Sequence, residues 1–152
     1  MIDTVVYAWR GSYGATGDKL GPYPIVDRMP KSGGVICLGA MPNVSLLSQG
    51  VRWLEHWEVI CPLRPYRELL EHVEDSAAVV KALGDLRVPV YDPRLIFMRV
   101  SPKTRSFWKT FKELSRGYDM RVAFHLAVWE VMPYIKPLPA EGWIIEPWTN
   151  GK

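Results

Sequence analysis

Apolar side chains recur along this chain with two different periods, and the period assigns most of the predicted elements. Between residues 51 and 61 the odd positions Val51, Trp53, Trp57, Val59 and Cys61 are apolar, with Glu55 the exception, while Arg52, Leu54, His56, Glu58 and Ile60 take the other side. That period of two predicts one long strand, stopped by Pro62. From Tyr66 onwards Leu69, Leu70, Val73, Ala77, Val80 and Leu83 keep a helical stripe as far as Gly84, and Pro65 suits a first helical turn. This is the predicted principal helix; Glu68, Glu71, Glu74 and Asp75 lie mostly off its stripe and read as a solvated face.

Residues 94–100 read as a strand approached irregularly through Pro89 and Pro93. Ser101 and Pro102 then open a second helix that Gly117 closes, with Phe107, Trp108, Phe111 and Leu114 on one stripe. In residues 118–132, Met120, Val122, Phe124, Leu126 and Val128 alternate with Arg121, Ala123, His125 and Ala127, which predicts a last, central strand; a buried helix is the alternative. At the N-terminus Ile2, Val5, Val6 and Trp9 behind Asp3 favour a short amphipathic helix over residues 2–10, although Thr4, Val5, Val6 and Tyr7 are also strand-prone. A glycine-rich loop follows, and residues 23–29 and 35–40 form two short strands around a turn at Pro30, Lys31, Ser32, Gly33 and Gly34. The tail 133–152 holds four prolines with Trp143 and Trp148, too apolar to float and too proline-rich for an internal strand.

The order predicts an α+β fold, a mainly antiparallel sheet with the principal helix packed on one face. Residues 1–132 form its single domain and residues 133–152 a tail packed on that domain or on a neighbour. Strands and helices do not alternate one for one, as a doubly wound nucleotide-binding sheet requires. At 152 residues one domain is expected, and 48% hydrophobic against 23% charged residues argues against disorder. No apolar run approaches the ~20 residues of a membrane span, and the N-terminus lacks the pattern of a secretion signal, so a cytoplasmic site of folding is expected. Cys37 and Cys61 cannot make a disulfide framework and read as small buried apolar residues.

Candidate chemistry is sparse. The stretch from Gly11 through Gly14 and Gly17 to Asp18, Lys19 and Gly21 resembles a phosphate cradle, but five residues separate Gly11 from Gly17 where a P-loop has four, and Asp18 stands where lysine is needed. His56, Glu58 and Cys61 echo a zinc-deaminase pattern without its paired cysteines. His72 reads as a surface group, and His125 as a satisfied core or interface histidine. No serine sits in a Gly-x-Ser-x-Gly elbow. No catalytic residue, metal site or cofactor is therefore expected. Lys103, Arg105, Lys109, Lys112 and Arg116, against the single acid Glu113, make residues 101–116 the strongest charge feature and a basic docking surface for a phosphate backbone or an acidic protein ring. A solvated helix flank explains the same charges more simply, and a net charge of +3 does not mark a nucleic-acid binder. Seven tryptophans are many for one small core, so Trp53, Trp57, Trp129, Trp143 and Trp148 are expected at an interface between subunits.

Several textures together resemble the tail-terminator (tail-completion) proteins of long-tailed bacteriophages. They are YPIVDRMP at residues 23–30, VICLGAMP at 35–42, VRWLEHWEVIC at 51–61, VVKAL at 79–83 and RVAFHLAVW at 121–129. The resemblance spans most of the chain and rests on pattern and spacing, not on one diagnostic motif. It implies a non-enzymatic virion assembly protein forming a homo-oligomeric ring, in that family typically a hexamer. Such a ring caps the tail tube and joins it to head or neck connector proteins, and DNA passes through its lumen without sequence-specific contacts. Two other classes compete: a small ligand- or nucleotide-binding enzyme domain using the loop from Gly11 to Gly21, and an inhibitor that binds a host protein.

Overall fold

The computed structural model describes residues 2–8, 29–39, 41–63, 90–118, 120–139 and 141–144. In chain order they form strand β1 (Thr4–Ala8), strand β2 (Gly34–Leu38), a 3-10 turn (Val44–Leu46) leading into helix α1 (Leu47–Trp53), and strands β3 (Val59–Pro62) and β4 (Leu95–Arg99). Helices α2 (Pro102–Leu114) and α3 (Met120–Val131) and strand β5 (Ile135–Leu138) follow. The class is α+β. The five strands form one sheet in the order β1-β2-β4-β3-β5. The pairs β1·β2 and β3·β5 are parallel and the pairs β2·β4 and β3·β4 antiparallel, so the sheet is mixed and β4 alone runs against the other strands. The registers join into continuous rows, one being Val5, Val35, Met98, Val59 and Ile135.

Alternation along the central strands divides the interior in two. On one face Val35, Cys37, Val59, Cys61, Ile96 and Met98 pack against Phe107, Trp108 and Phe111 of α2 and Ala123, Phe124 and Ala127 of α3. On the other face Ile36, Ile60, Leu95 and Phe97 pack against Val51 and Leu54 from α1 and its end, with Leu138 and Trp143. The described helices thus cover both faces, and the principal helix predicted over residues 66–84 lies outside the described residues, as does most of the strand predicted over 23–29. Each fully buried Phe or Leu here contributes roughly 1.5–3 kcal/mol from burial, so two small cores share the hydrophobic stabilisation.

Three elements differ from the sequence expectation. Residues 120–131 are helix α3 and not a strand, because Val122 through Leu126 and Ala127 are buried without interruption and a helix enclosed on most of its girth shows no single polar stripe. The long strand expected over 51–61 is a helix end, a turn at Leu54 to His56 and only then β3, since Val51 and Leu54 reach the second core at helical spacing. The N-terminal segment is strand β1, and its strand-prone Thr4, Val5 and Val6 decide the matter once β2 is beside it to pair with. The turn before β2 needs Gly33, whose φ is +94° and whose missing Cβ leaves room for the carbonyl of Asp3. That carbonyl accepts the Gly34 N–H at 2.8 Å.

Helix α2 begins as its sequence demands. Ser101 accepts the Thr104 N–H at 3.1 Å, and the Thr104 hydroxyl accepts the Ser101 N–H at 2.8 Å, a reciprocal cap in front of Pro102. The segment set apart in the sequence as a tail supplies β5 at the sheet edge and Trp143 to the second core. Pro137 is tolerated there: Tyr134 and Leu138 turn their carbonyls towards β3, so by alternation residue 137 turns its backbone away and no ladder bond is lost.

Candidate functional site

The predicted interface tryptophans separate into different environments. Trp143 is 6% exposed, wedged edge-on to Phe97 at 6.1 Å and tilted on Trp53 at 5.7 Å, so this chain uses it internally and it offers no surface to a partner. Of the seven indoles, the first core takes Trp108 and the second takes Trp143. Trp53 and Trp57 are half-buried, and Trp129 is 51% exposed. Trp148 lies outside the described residues.

Around Trp57 the fold builds an aromatic surface that the sequence reading missed. Tyr134, 60% exposed, stacks on Trp57 with ring centroids 4.5 Å apart and planes 11° from parallel. The Tyr134 N–H donates to Glu58 Oε1 at 2.8 Å, and its carbonyl accepts the Glu58 N–H at 2.9 Å, which fixes the ring against its partner. Lys136 places Nζ 5.0 Å from the Trp53 ring centre and 5.3 Å from that of Trp57, a cation over two indole faces worth about 0.5–1 kcal/mol per contact at a wet surface.

Between α3 and β5 stands Met132, 65% exposed and at φ +53°, the left-handed conformation that helix ends usually assign to glycine. Its N–H closes α3 onto the Val128 carbonyl at 2.8 Å. A methionine in that geometry breaks a local preference while presenting its side chain to water, with Trp129 one helical turn behind and Tyr134 two residues ahead. The only signal in the sequence was Pro133, which ends the helix and forces the chain to turn at Met132.

The basic residues of 101–116 do not form one surface. Thr104, Phe107, Trp108, Phe111 and Ser115 mark the buried side of α2. Arg105, Lys109, Lys112 and Arg116 follow at spacings of four, three and four, a stripe of about 16 Å along one flank, and Lys103 projects away from it. Arg105 is half-buried and its guanidinium donates to the Pro30 carbonyl, so it fastens the turn before β2 as well as carrying charge.

The polar chemistry that does converge is internal. Asp92 and Arg94, 4% and 6% exposed, form a bidentate pair, with Nη2 to Oδ2 at 2.7 Å and Nε to Oδ1 at 2.9 Å. Next to it the Cys61 thiol donates to the Asp92 carbonyl at 3.2 Å, and His125 Nε2 accepts the Tyr91 N–H at 3.0 Å, which requires the neutral imidazole with its proton on Nδ1. Burial pushes the Tyr91 hydroxyl up to about 12, aided by the nearby Cys61. Burial, and then the Asp92 charge, push the Cys61 thiol well above its ordinary range, and burial alone does the same for Cys37. These groups hold the approach to β4 in place and are closed to solvent. The two thiols stand on strands either side of β4, about 9.5 Å apart by two strand spacings, too far for a disulfide.

The loop from Gly11 to Gly21 and His72 lie outside the described residues, and His56 is exposed on the turn before β3. Among the described residues no three His, Cys, Asp or Glu side chains gather as a metal site, and no helix is long and apolar enough to cross a membrane. Comparison with protein-family models, with curated proteins and with solved structures finds no match to this chain.

Proposed function

We propose that this chain is a non-enzymatic assembly protein that acts as a homo-oligomeric ring, capping a phage tail tube and joining it to head or neck proteins, with DNA passing through the lumen of the finished virion. The observation that carries the reading is that three large side chains, Trp129, Met132 and Tyr134, are left 51%, 65% and 60% exposed between the end of α3 and the start of β5. Aromatic and methionine side chains are the types enriched where proteins meet. The cationic flank of α2 gives such a ring a positive surface for an acidic tube ring, which speeds and orients docking rather than tightening it.

Light scattering on the purified chain, together with electron microscopy of tail tubes polymerised in its presence, tests the proposal. The expected result is a particle several protomers in mass that bounds tube length, with Trp129→Ala shifting the population towards monomer. A chain that stays monomeric at high concentration and leaves tube length unchanged overturns it.

A further inference from the structure

The two edges of the sheet are built differently. β5 carries Lys136 and Pro137, the residue types by which soluble proteins keep a sheet edge from pairing with another chain. β1, the outermost described strand on the opposite side, reads Thr-Val-Val-Tyr-Ala and has neither.

The register shows which main-chain groups of β1 face outwards. The Gly34 N–H donates to the Asp3 carbonyl at 2.8 Å, and Thr4 is the Cα partner of Gly34. In a parallel ladder that bond turns residues 3, 5 and 7 towards β2, so by alternation Thr4 and Val6 turn their N–H and C=O groups away from the sheet. The next carbonyl on the outer side, that of Ile2, is taken by the Thr4 hydroxyl at 2.9 Å. Among the described residues nothing bonds the outward N–H and C=O of Thr4 and Val6. Each residue thus offers one donor and one acceptor, ~6.6 Å from the next such pair, the spacing at which an extended strand presents its own.

Val5 and Val6 lie on the two faces of β1 and are 43% and 53% exposed. Their apolar area is small, and the main chain is what this edge chiefly offers. A strand laid beside β1 would gain one β-branched neighbour on each face.

We propose that the β1 edge is a β-augmentation site, where an extended apolar segment of another protein adds a strand beside β1. Running antiparallel, the segment exchanges about four main-chain hydrogen bonds with Thr4 and Val6 and sets β-branched or aromatic side chains next to Val5 and Val6. Recognition through the main chain tolerates many sequences, but not proline at the positions that face β1. The proposal stands on this edge alone and does not depend on the ring reading.

The probe is a fluorescein-labelled peptide of alternating threonine and valine with lysines at its ends for solubility, and fluorescence anisotropy reads its binding. The expected result is saturable binding to the full chain. Val6→Pro removes an outward N–H while leaving the ladder to β2, which uses Asp3 and Val5, intact, and should weaken binding by about tenfold. Val6→Thr, which keeps the main chain and the branched shape, should bind like the parent, and circular dichroism confirms that both variants fold. Amide hydrogen exchange on the parent gives an independent reading: the Thr4 and Val6 amides should exchange freely in the protein alone and become protected when the peptide is added. No binding of the peptide, or binding that Val6→Pro leaves unchanged, overturns the proposal. Thr4 and Val6 amides already protected without peptide assign the edge to a second copy or to the chain itself, and overturn it as well.

Discussion

Gly50 lies inside helix α1, where helix propensity alone says that alanine should be better by ~1 kcal/mol. The packing reverses that sign. A Cβ at residue 50 would stand 2.3 Å from Phe97 Cε1, 2.4 Å from Cζ and 2.8 Å from Cδ1. Carbon atoms in contact prefer ~3.5–4.0 Å, so the ring or the helix must move by more than an ångström. Phe97 is fully buried and held edge-on by Trp143 at 6.1 Å, so the ring has no open side to retreat into. Overpacking of a closed site costs ~1–3 kcal/mol, and three contacts this short belong at the upper end. After the propensity gain, Gly50→Ala should lose about 2 kcal/mol, which for a chain of this size is a fall in Tm of ~4–8 °C. Urea unfolding followed by tryptophan fluorescence and circular dichroism measures it, and Gly50→Ala/Phe97→Leu, with a smaller neighbour, should be less destabilised than the sum of its single variants. A Gly50→Ala protein as stable as the parent, or more so, refutes the packing of α1 against β4.

Other outcomes follow from named contacts. Asp92→Asn takes the negative charge out of the buried bidentate pair with Arg94 and should cost up to about 3–5 kcal/mol by denaturant unfolding, whereas Asp92→Ala/Arg94→Leu should recover much of it. Tyr91 ionises at about 12 in the fold against 10 in the open chain, so the fold binds the proton more tightly and stability falls as pH rises from 10 towards 12. Two pH units correspond to roughly 2.7 kcal/mol, and the alkaline loss should shrink in Tyr91→Phe when unfolding is followed against pH. Ser101→Ala removes half of the reciprocal cap on α2 and should lower stability by ~0.5–2 kcal/mol in the same unfolding assay.

Local chemistry made part of the fold legible. β2, β4 and α2 were readable because a glycine turn, a β-branched and aromatic run, and a Ser-Pro helix start each act within a few residues. The errors share one cause. Where both parities of a segment are apolar, as in Met120 to Val128, alternation and helical burial cannot be told apart, and only the neighbours decide. Gly50 carries no signal of helix α1 in the sequence, because its reason for being glycine is Phe97, distant along the chain. At the surface, the excess of tryptophan was visible, but its division between two cores and an exposed junction depends on the sheet having two covered faces. Met132, Tyr134 and Val6 are ordinary residues in the sequence, and become notable only when φ, stacking and edge position are known.

The lone antiparallel strand also sets a schedule for synthesis. β4 lies between β2 and β3, so nothing made before residue 95 can knit those two into one sheet. The far edge waits longer still, for residues 135–138. A nascent chain on the ribosome consequently holds β1 and β2 apart from β3 until residues 95–99 have emerged, and the described sheet reaches its full width only when residues 135–138 follow.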